Sequence, residues 1–197
     1  MIPDWSPDRL RRALTVAAGP SSDYDLNPDV APPAGTLRAA GVLAAFHEDD
    51  GRLVLTKRAS GLRHHPGQIA LPGGKVDPDD ADEVAAALRE AHEEVGLDPA
   101  QVEVLGTLPA HRTVTGFSMT PVLAMIRGGF TPVPEAGEVE EAFTVPFAHI
   151  ADPARYRIER RLWRGDWRSY HVAPFGPYYI WGATARVLLA LATRLSA

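Results

Sequence analysis

The sequence predicts a mixed α/β sandwich with a helix near each end. Three observations carry this. Strand-like apolar runs alternate with helix-periodic segments along the chain instead of being segregated from them. The segment around residues 80–96 has a helix cap, an apolar stripe and a helix stop. A length of 197 residues suits one well-cored domain, whereas two would each be small.

Taken in order, "SPDRLRRALTVAAG" has a serine cap, Pro7 at the first helical position and a closing glycine, which predicts a peripheral helix over residues 6–18. "PSSDYDLNPDVAPPAG" is rich in proline, serine and aspartate and reads as a loop. "LRAAGVLAAFHE" and "RLVLTKR" are strand-like runs around the turn "DDG", a hairpin signal. "GQIALPGGKVDPDD" reads as a short apolar strand entering a glycine and proline loop. Beyond it, Asp80 can cap a helix with Glu83 three residues later, and Val84, Ala87, Leu88, Ala91 and Val95 form the apolar stripe. Gly96 stops this helix and Pro99 prevents its resumption.

"QVEVLGTLPAHR" and "FSMTPVLAMIR" are strand-like, and "EVEEAFTVPFAHI" reads as a strand or turn entering a short helix. "RYRIERRLW" and "RSYHVAP" are strand-like again, and "WGATARVLLALATRLS" closes the sequence as an amphipathic helix.

Composition narrows the chemistry. With 45% hydrophobic and 23% charged residues the chain is of ordinary globular type, and 18 prolines beside 17 glycines point to many loops. A net charge of −5 gives no general attraction to nucleic acid or anionic lipid, so neither is an expected partner. The sequence contains no cysteine, which excludes disulfides, thiolate metal sites and thiol nucleophiles; any metal must sit on oxygen or imidazole. "MIPDWSPDRLRR" lacks a signal-peptide core and no run of about 18 apolar residues occurs, so a cytoplasmic location without membrane contact is expected.

The informative stretch is "ALREAHEEVGL". Residues three and four apart are neighbours on a helix, so Glu90 faces both Glu93 and Glu94, and each like-charge pair costs roughly 0.2–0.5 kcal/mol. A solvated acidic helix face is one reading. The other is a hard-cation site: Mg²⁺ or Mn²⁺ takes one or two carboxylates plus waters and substrate phosphates, and "LPGGK" just upstream lets backbone approach a ligand closely.

"REAHEEVGL" resembles the second half of the Nudix box, supplying Arg89, Glu90, Glu93, Glu94, Gly96 and Leu97, with Ala91 in place of a bulky apolar residue. The first half departs from the family pattern, since its glycine falls on Lys75 with Gly74 one residue early, and its first glutamate falls on Ala81. Upstream, "VLTKRASGLRHHPGQIALPGG" resembles the signature of the coenzyme A pyrophosphatase branch of the family. Thr56, Arg58, Ala59, Arg63, Gly67, Pro72, Gly73 and Gly74 match it at the required spacing, while Val54 and Leu71 are conservative departures. The altered first half of the box is common in that branch. Lys57, Arg58, Arg63, His64 and His65 also gather cationic or ionisable groups suited to an anionic ligand in a net-acidic chain.

The resemblance implies a Nudix-type α/β/α sandwich with a mixed β-sheet over 37–197, with 1–36 an N-terminal helix and Pro-rich loop, and hydrolysis of the diphosphate of coenzyme A with Mg²⁺ or Mn²⁺. It implies Gly74, Glu90, Glu93 and Glu94 as metal ligands, and a catalytic group comprising Glu93, Arg89 as the residue that orients a glutamate, and Glu138 as base, chosen ahead of Glu140 and Glu141. It implies Lys57, Arg58, Arg63, His65, Gly73 and Phe117 as substrate contacts. For Phe117 core packing is expected ahead of substrate contact, and Trp181 is expected as a core anchor. ADP-ribose or another nucleoside diphosphate derivative is an alternative substrate, and a non-catalytic nucleotide-binding module is the alternative of another class.

Overall fold

The computed structural model describes residues 5–32, 34–62, 65–163 and 165–197. Strands β1 (Ser21–Ser22), β2 (Arg38–His47), β3 (Arg52–Arg58), β4 (Ile69–Ala70), β5 (Gly73–Lys75), β6 (Val102–Thr107), β7 (His111–Arg112), β8 (Phe117–Ile126) and β9 (Val139–Pro146) form one mixed sheet. Strands β10 (Arg157–Trp163) and β11 (Asp166–Val172) form a separate antiparallel hairpin. The helices are α1 (Pro7–Thr15), α2 (Glu83–Val95), α3 (Phe147–Ile150) and α4 (Gly182–Leu195).

The centre of the sheet is β2, paired in parallel with β8 along its whole length and antiparallel with β3 through the predicted hairpin. Its alternation divides the core. Val42, Ala44 and Phe46 point to the layer of α1, α3 and α4, while Leu43 and Ala45 point to α2, where they meet Ala87, Ala91 and Val95. This is the predicted sandwich.

Four local expectations change. The helix cap is Asp82, which accepts from Ala85 N–H at 2.9 Å, because Asp80 is drawn to a guanidinium described below. The glycine loop is itself a strand: Gly73, Gly74 and Lys75 pair with Val42, Gly41 and Ala40. Helix α1 is not peripheral, since Leu10 and Ala13 are fully buried in the main core. Gly96 ends α2 as expected, in the left-handed region at φ 70°. Trp181 is half-buried instead of lying in the core, with the Arg161 guanidinium 4.4 Å from its ring centre. Among the described residues, no helix is long and apolar enough to cross a membrane.

Candidate active site

Helix α2 and strand β5 make the centre of the site. The inner face of α2 has to lie close to the sheet, and glycines on the sheet make this possible: a β-carbon at Gly41 would overlap the Glu83 carbonyl, and one at Gly74 would overlap the Glu90 carboxylate. Gly73 has a further requirement, a φ of 149° that side-chain-bearing residues rarely adopt. Its N–H donates to Glu94 Oε2 at 3.2 Å. The two helix carboxylates one turn apart are thereby pressed against glycine backbone.

Their electrostatics follow from that placement. Glu94 is 4% exposed, and burial pushes its carboxyl up to about 7 despite the Gly73 hydrogen bond. Burial also raises Glu90, against the opposing effect of Arg89. The charge of Glu138 acts on both carboxyls, and Arg58 acts on Glu94 in the opposite sense. Glu90, Glu94, Glu138 and Arg58 therefore form one electrostatic unit, although they come from α2, the edge of β9 and the end of β3.

Glu138 owes its position to the loop before it. Val133 and Glu135 donate their N–H groups to the carbonyls of Val95 and Glu94, tying the loop to the end of α2. The Glu135 carboxylate then accepts from Gly137 N–H at 2.8 Å and Glu138 N–H at 3.0 Å. The other two candidates are engaged: Glu140 pairs with Lys57 Nζ at 2.6 Å, and Glu141 accepts from the Tyr178 hydroxyl. The same pairing commits the Lys57 ammonium to a protein carboxylate, unlike its expected role toward substrate. Arg58 follows a register shift in the β3–β9 pairing, a bulge that re-aims the strand end.

Arg89 is a positioning residue. Its guanidinium forms a two-pronged contact with Asp80, Nε to Oδ1 at 3.0 Å and Nη2 to Oδ2 at 2.8 Å. Its Nη1 reaches Glu90 Oε1 at 3.1 Å and Glu93 Oε2 at 3.0 Å. Glu93 is 56% exposed on the outer flank of this cluster. Asp80 thus anchors the arginine that orients Glu90, a link missed by reading Asp80 as a cap.

The remaining expected residues lie outside this unit. His65 is exposed in the turn before β4, with a left-handed backbone at φ 53°. Phe117 is half-buried under the Arg38 guanidinium, 4.0 Å from its ring centre. Arg63 and His64 lie outside the described residues.

Among the described residues, no three acidic or imidazole side chains converge as a closed metal cage. The donor set nevertheless fits Mg²⁺ or Mn²⁺, which draw on one or two carboxylates and fill the rest of their shell with backbone oxygen, water and substrate phosphate. Two carboxylates held against glycine backbone, both destabilised in their charged form by burial, are suited to a cation.

The Arg89 contact, followed by the Asp77 N–H, holds Asp80 well below its ordinary 3.8, at about 2. A depressed carboxylate contributes stability that is present above the unfolded-state value and is lost as pH falls through the folded one. Asp80→Asn is expected to lower Tm at neutral pH, with the gap from wild type closing between pH 3.8 and about 2. Melting curves across that range check it, and a gap independent of pH would refute the assignment.

The family model for the NUDIX domain matches residues 36–163. NudL of Enterobacter sp. (strain 638), an uncharacterized Nudix hydrolase, is 39% identical over 158 residues, covering 80% of this chain and 82% of that protein. Nudix hydrolase 15, mitochondrial, of Arabidopsis thaliana is 38% identical over 164 residues, covering 79% of this chain and 58% of that protein. Among solved structures, a MutT/nudix family protein from Enterococcus faecalis aligns with a TM-score of 0.52 at 16% identity, covering 85% of this chain and 65% of that one, a likeness of fold. The chain belongs to the Nudix hydrolase family.

Proposed function

We propose that the protein hydrolyses the diphosphate of coenzyme A to 4′-phosphopantetheine and adenosine 3′,5′-bisphosphate. The observation that carries this reading is the hydrogen bond from the Gly73 N–H to Glu94 Oε2 at 3.2 Å. The stretch resembling the coenzyme A branch and the helix resembling the Nudix box act on one another at one place. Glu90 and Glu94, with the Gly74 carbonyl and with Glu93 through water, would hold the cation. Bound there, Mg²⁺ or Mn²⁺ supplies charge neutralisation for the diphosphate and a lowered pKa for water.

The chain's own residues do the rest. Arg58 binds a phosphate oxygen, and Arg89, fixed by Asp80, keeps Glu90 oriented. Water attacks one phosphorus, its proton passes to Glu138, and the bridging P–O bond breaks to leave two phosphomonoesters. Glu138 suits the base role because its charge acts on the helix carboxylates and it is exposed to solvent, to which it can return the proton.

Product analysis with coenzyme A, 3′-dephospho-coenzyme A and ADP-ribose tests the substrate. Coenzyme A is expected to be turned over best, and preference for ADP-ribose would overturn the assignment. A hydrogen bond between charged groups contributes about 1.5–3 kcal/mol, so Arg58→Ala is expected to raise KM for coenzyme A by roughly 10- to 100-fold. An unchanged KM would remove Arg58 from the substrate site.

A further inference from the structure

On the face of the sheet opposite α2, a cavity of about 250 Å³ lies between the segment after α1, the β6–β7 connection and α4. Its wall is mostly apolar, with Leu108, Pro109, Val187 and Ala190 prominent. The exceptions are Arg186, Arg194, Ser21 and Thr193. Arg194 is 7% exposed, and its Nη1 donates to the Ala13 carbonyl at 3.3 Å. Among the described residues no carboxylate pairs with it, and burial lowers its pKa. Arg186 is little better provided, with its Nη2 3.5 Å from Asp25 Oδ2.

A buried guanidinium without a counter-ion is costly, since its desolvation is not matched by an opposite charge. Its place in the last turn of α4 offsets part of this through the helix dipole. An anion in the cavity would supply the missing partner, and the apolar wall requires that the remainder of that ligand be apolar. We propose that this cavity binds an amphipathic carboxylate, its chain against Leu108, Val187 and Ala190 and its head on Arg194 and Arg186.

The polar side of the cavity favours binding over chemistry. Ser21 Oγ meets His111 Nδ1 at 2.9 Å, and His111 Nε2 meets Asp23 Oδ1 at 3.1 Å, the connectivity of a serine nucleophile with its base and orienting acid. With Nε2–H donating to Asp23, Nδ1 can accept the hydrogen bond of the Ser21 hydroxyl. The backbone N–H groups beside Ser21 that would stabilise an oxyanion are engaged, however. The N–H groups of Ser21 and Asp23 go to the carbonyls of Ala110 and Arg112, and that of Ser22 goes to Asp25 Oδ2. The buried His111 ties the strand that carries Ser21 to the sheet, and the cavity receives a ligand without turning it over.

The cavity volume is that of about eight waters at roughly 30 Å³ each, which suits a short aliphatic chain. Calorimetric titration of the full chain with octanoate is expected to give one site. Octanol, which lacks the charge, is expected to bind about tenfold or more weakly, and Arg194→Met to weaken octanoate by a similar factor. Ala190→Phe fills the cavity from a half-buried position, so it is expected to abolish octanoate binding while coenzyme A hydrolysis and Tm stay at wild-type levels. This second variant decides the matter if Arg194→Met fails to fold. Absence of octanoate binding to wild type, or binding that survives Ala190→Phe, would overturn the proposal. Tighter binding of octyl phosphate than of octanoate would overturn the carboxylate assignment.

Discussion

Glu94→Gln is expected to lower kcat/KM for coenzyme A by well over 100-fold while leaving the metal-free protein at least as stable as wild type. The two halves of this expectation have one cause. The carboxyl is 4% exposed, pushed up to about 7 by burial, and repelled by Glu90 and Glu138. Its hydrogen bond from the Gly73 N–H needs only an acceptor oxygen, which glutamine retains. Glutamine therefore removes an unfavourable buried charge without orphaning a donor, so folding is not weakened. Catalysis loses a ligand. Partners that merely orient metal ligands cost about 10- to 100-fold when removed, and a ligand itself should exceed that.

The readout separates these effects. Added Mg²⁺ is expected to raise the Tm of wild type, because a ligand that binds only the native state stabilises it, and to leave Glu94→Gln unmoved. A variant that hydrolyses coenzyme A at the wild-type rate would sink the metal-helix reading. A variant whose Tm falls in chelator would refute the account of Glu94 as a strained charge.

Legibility in the sequence follows the range of the interactions. Helix α2 is readable because its stripe and its Gly96 stop are local, and the β2–β3 hairpin because turn and alternation adjoin. The parallel pairing of β2 with β8 is invisible to such reasoning, since it joins segments far apart in the chain. Asp80 and Asp82 are equally good caps on paper. Arg89, nine residues on, decides between them by capturing Asp80. "GGK" reads as a loop because glycine is intrinsically poor in strands, yet here its missing side chains admit both Gly41 and the helix carboxylates.

Within the site, Glu90 and Glu94 could be placed together from helix geometry alone. Glu138 could be named but not placed. Its position depends on loop-to-helix hydrogen bonds from Val133 and Glu135, and on Lys57 and Tyr178 engaging its two rivals. Lys57 looked cationic and available because its partner, Glu140, lies on a strand far along the sequence.

The two glycines that let α2 approach the sheet are expected to fail differently when each is given a methyl group. At Gly74 the new β-carbon meets the Glu90 carboxylate, the end of a flexible side chain that can swing aside. Gly74→Ala should therefore keep most of the stability and lose most of the activity, because the displaced group is a proposed cation ligand. At Gly41 the β-carbon meets the Glu83 carbonyl and the Ala87 backbone nitrogen, which cannot move without the whole of α2. Overpacking of this kind costs about 1–3 kcal/mol or more, and a 150–250-residue domain loses roughly 2–4 °C of Tm per kcal/mol. Gly41→Ala should accordingly lose both activity and several degrees of Tm. Thermal melts beside kcat/KM for the pair separate the cases. If Gly74→Ala were as destabilising as Gly41→Ala, Glu90 would be a packing residue of the helix interface instead of a carboxylate free to meet a cation.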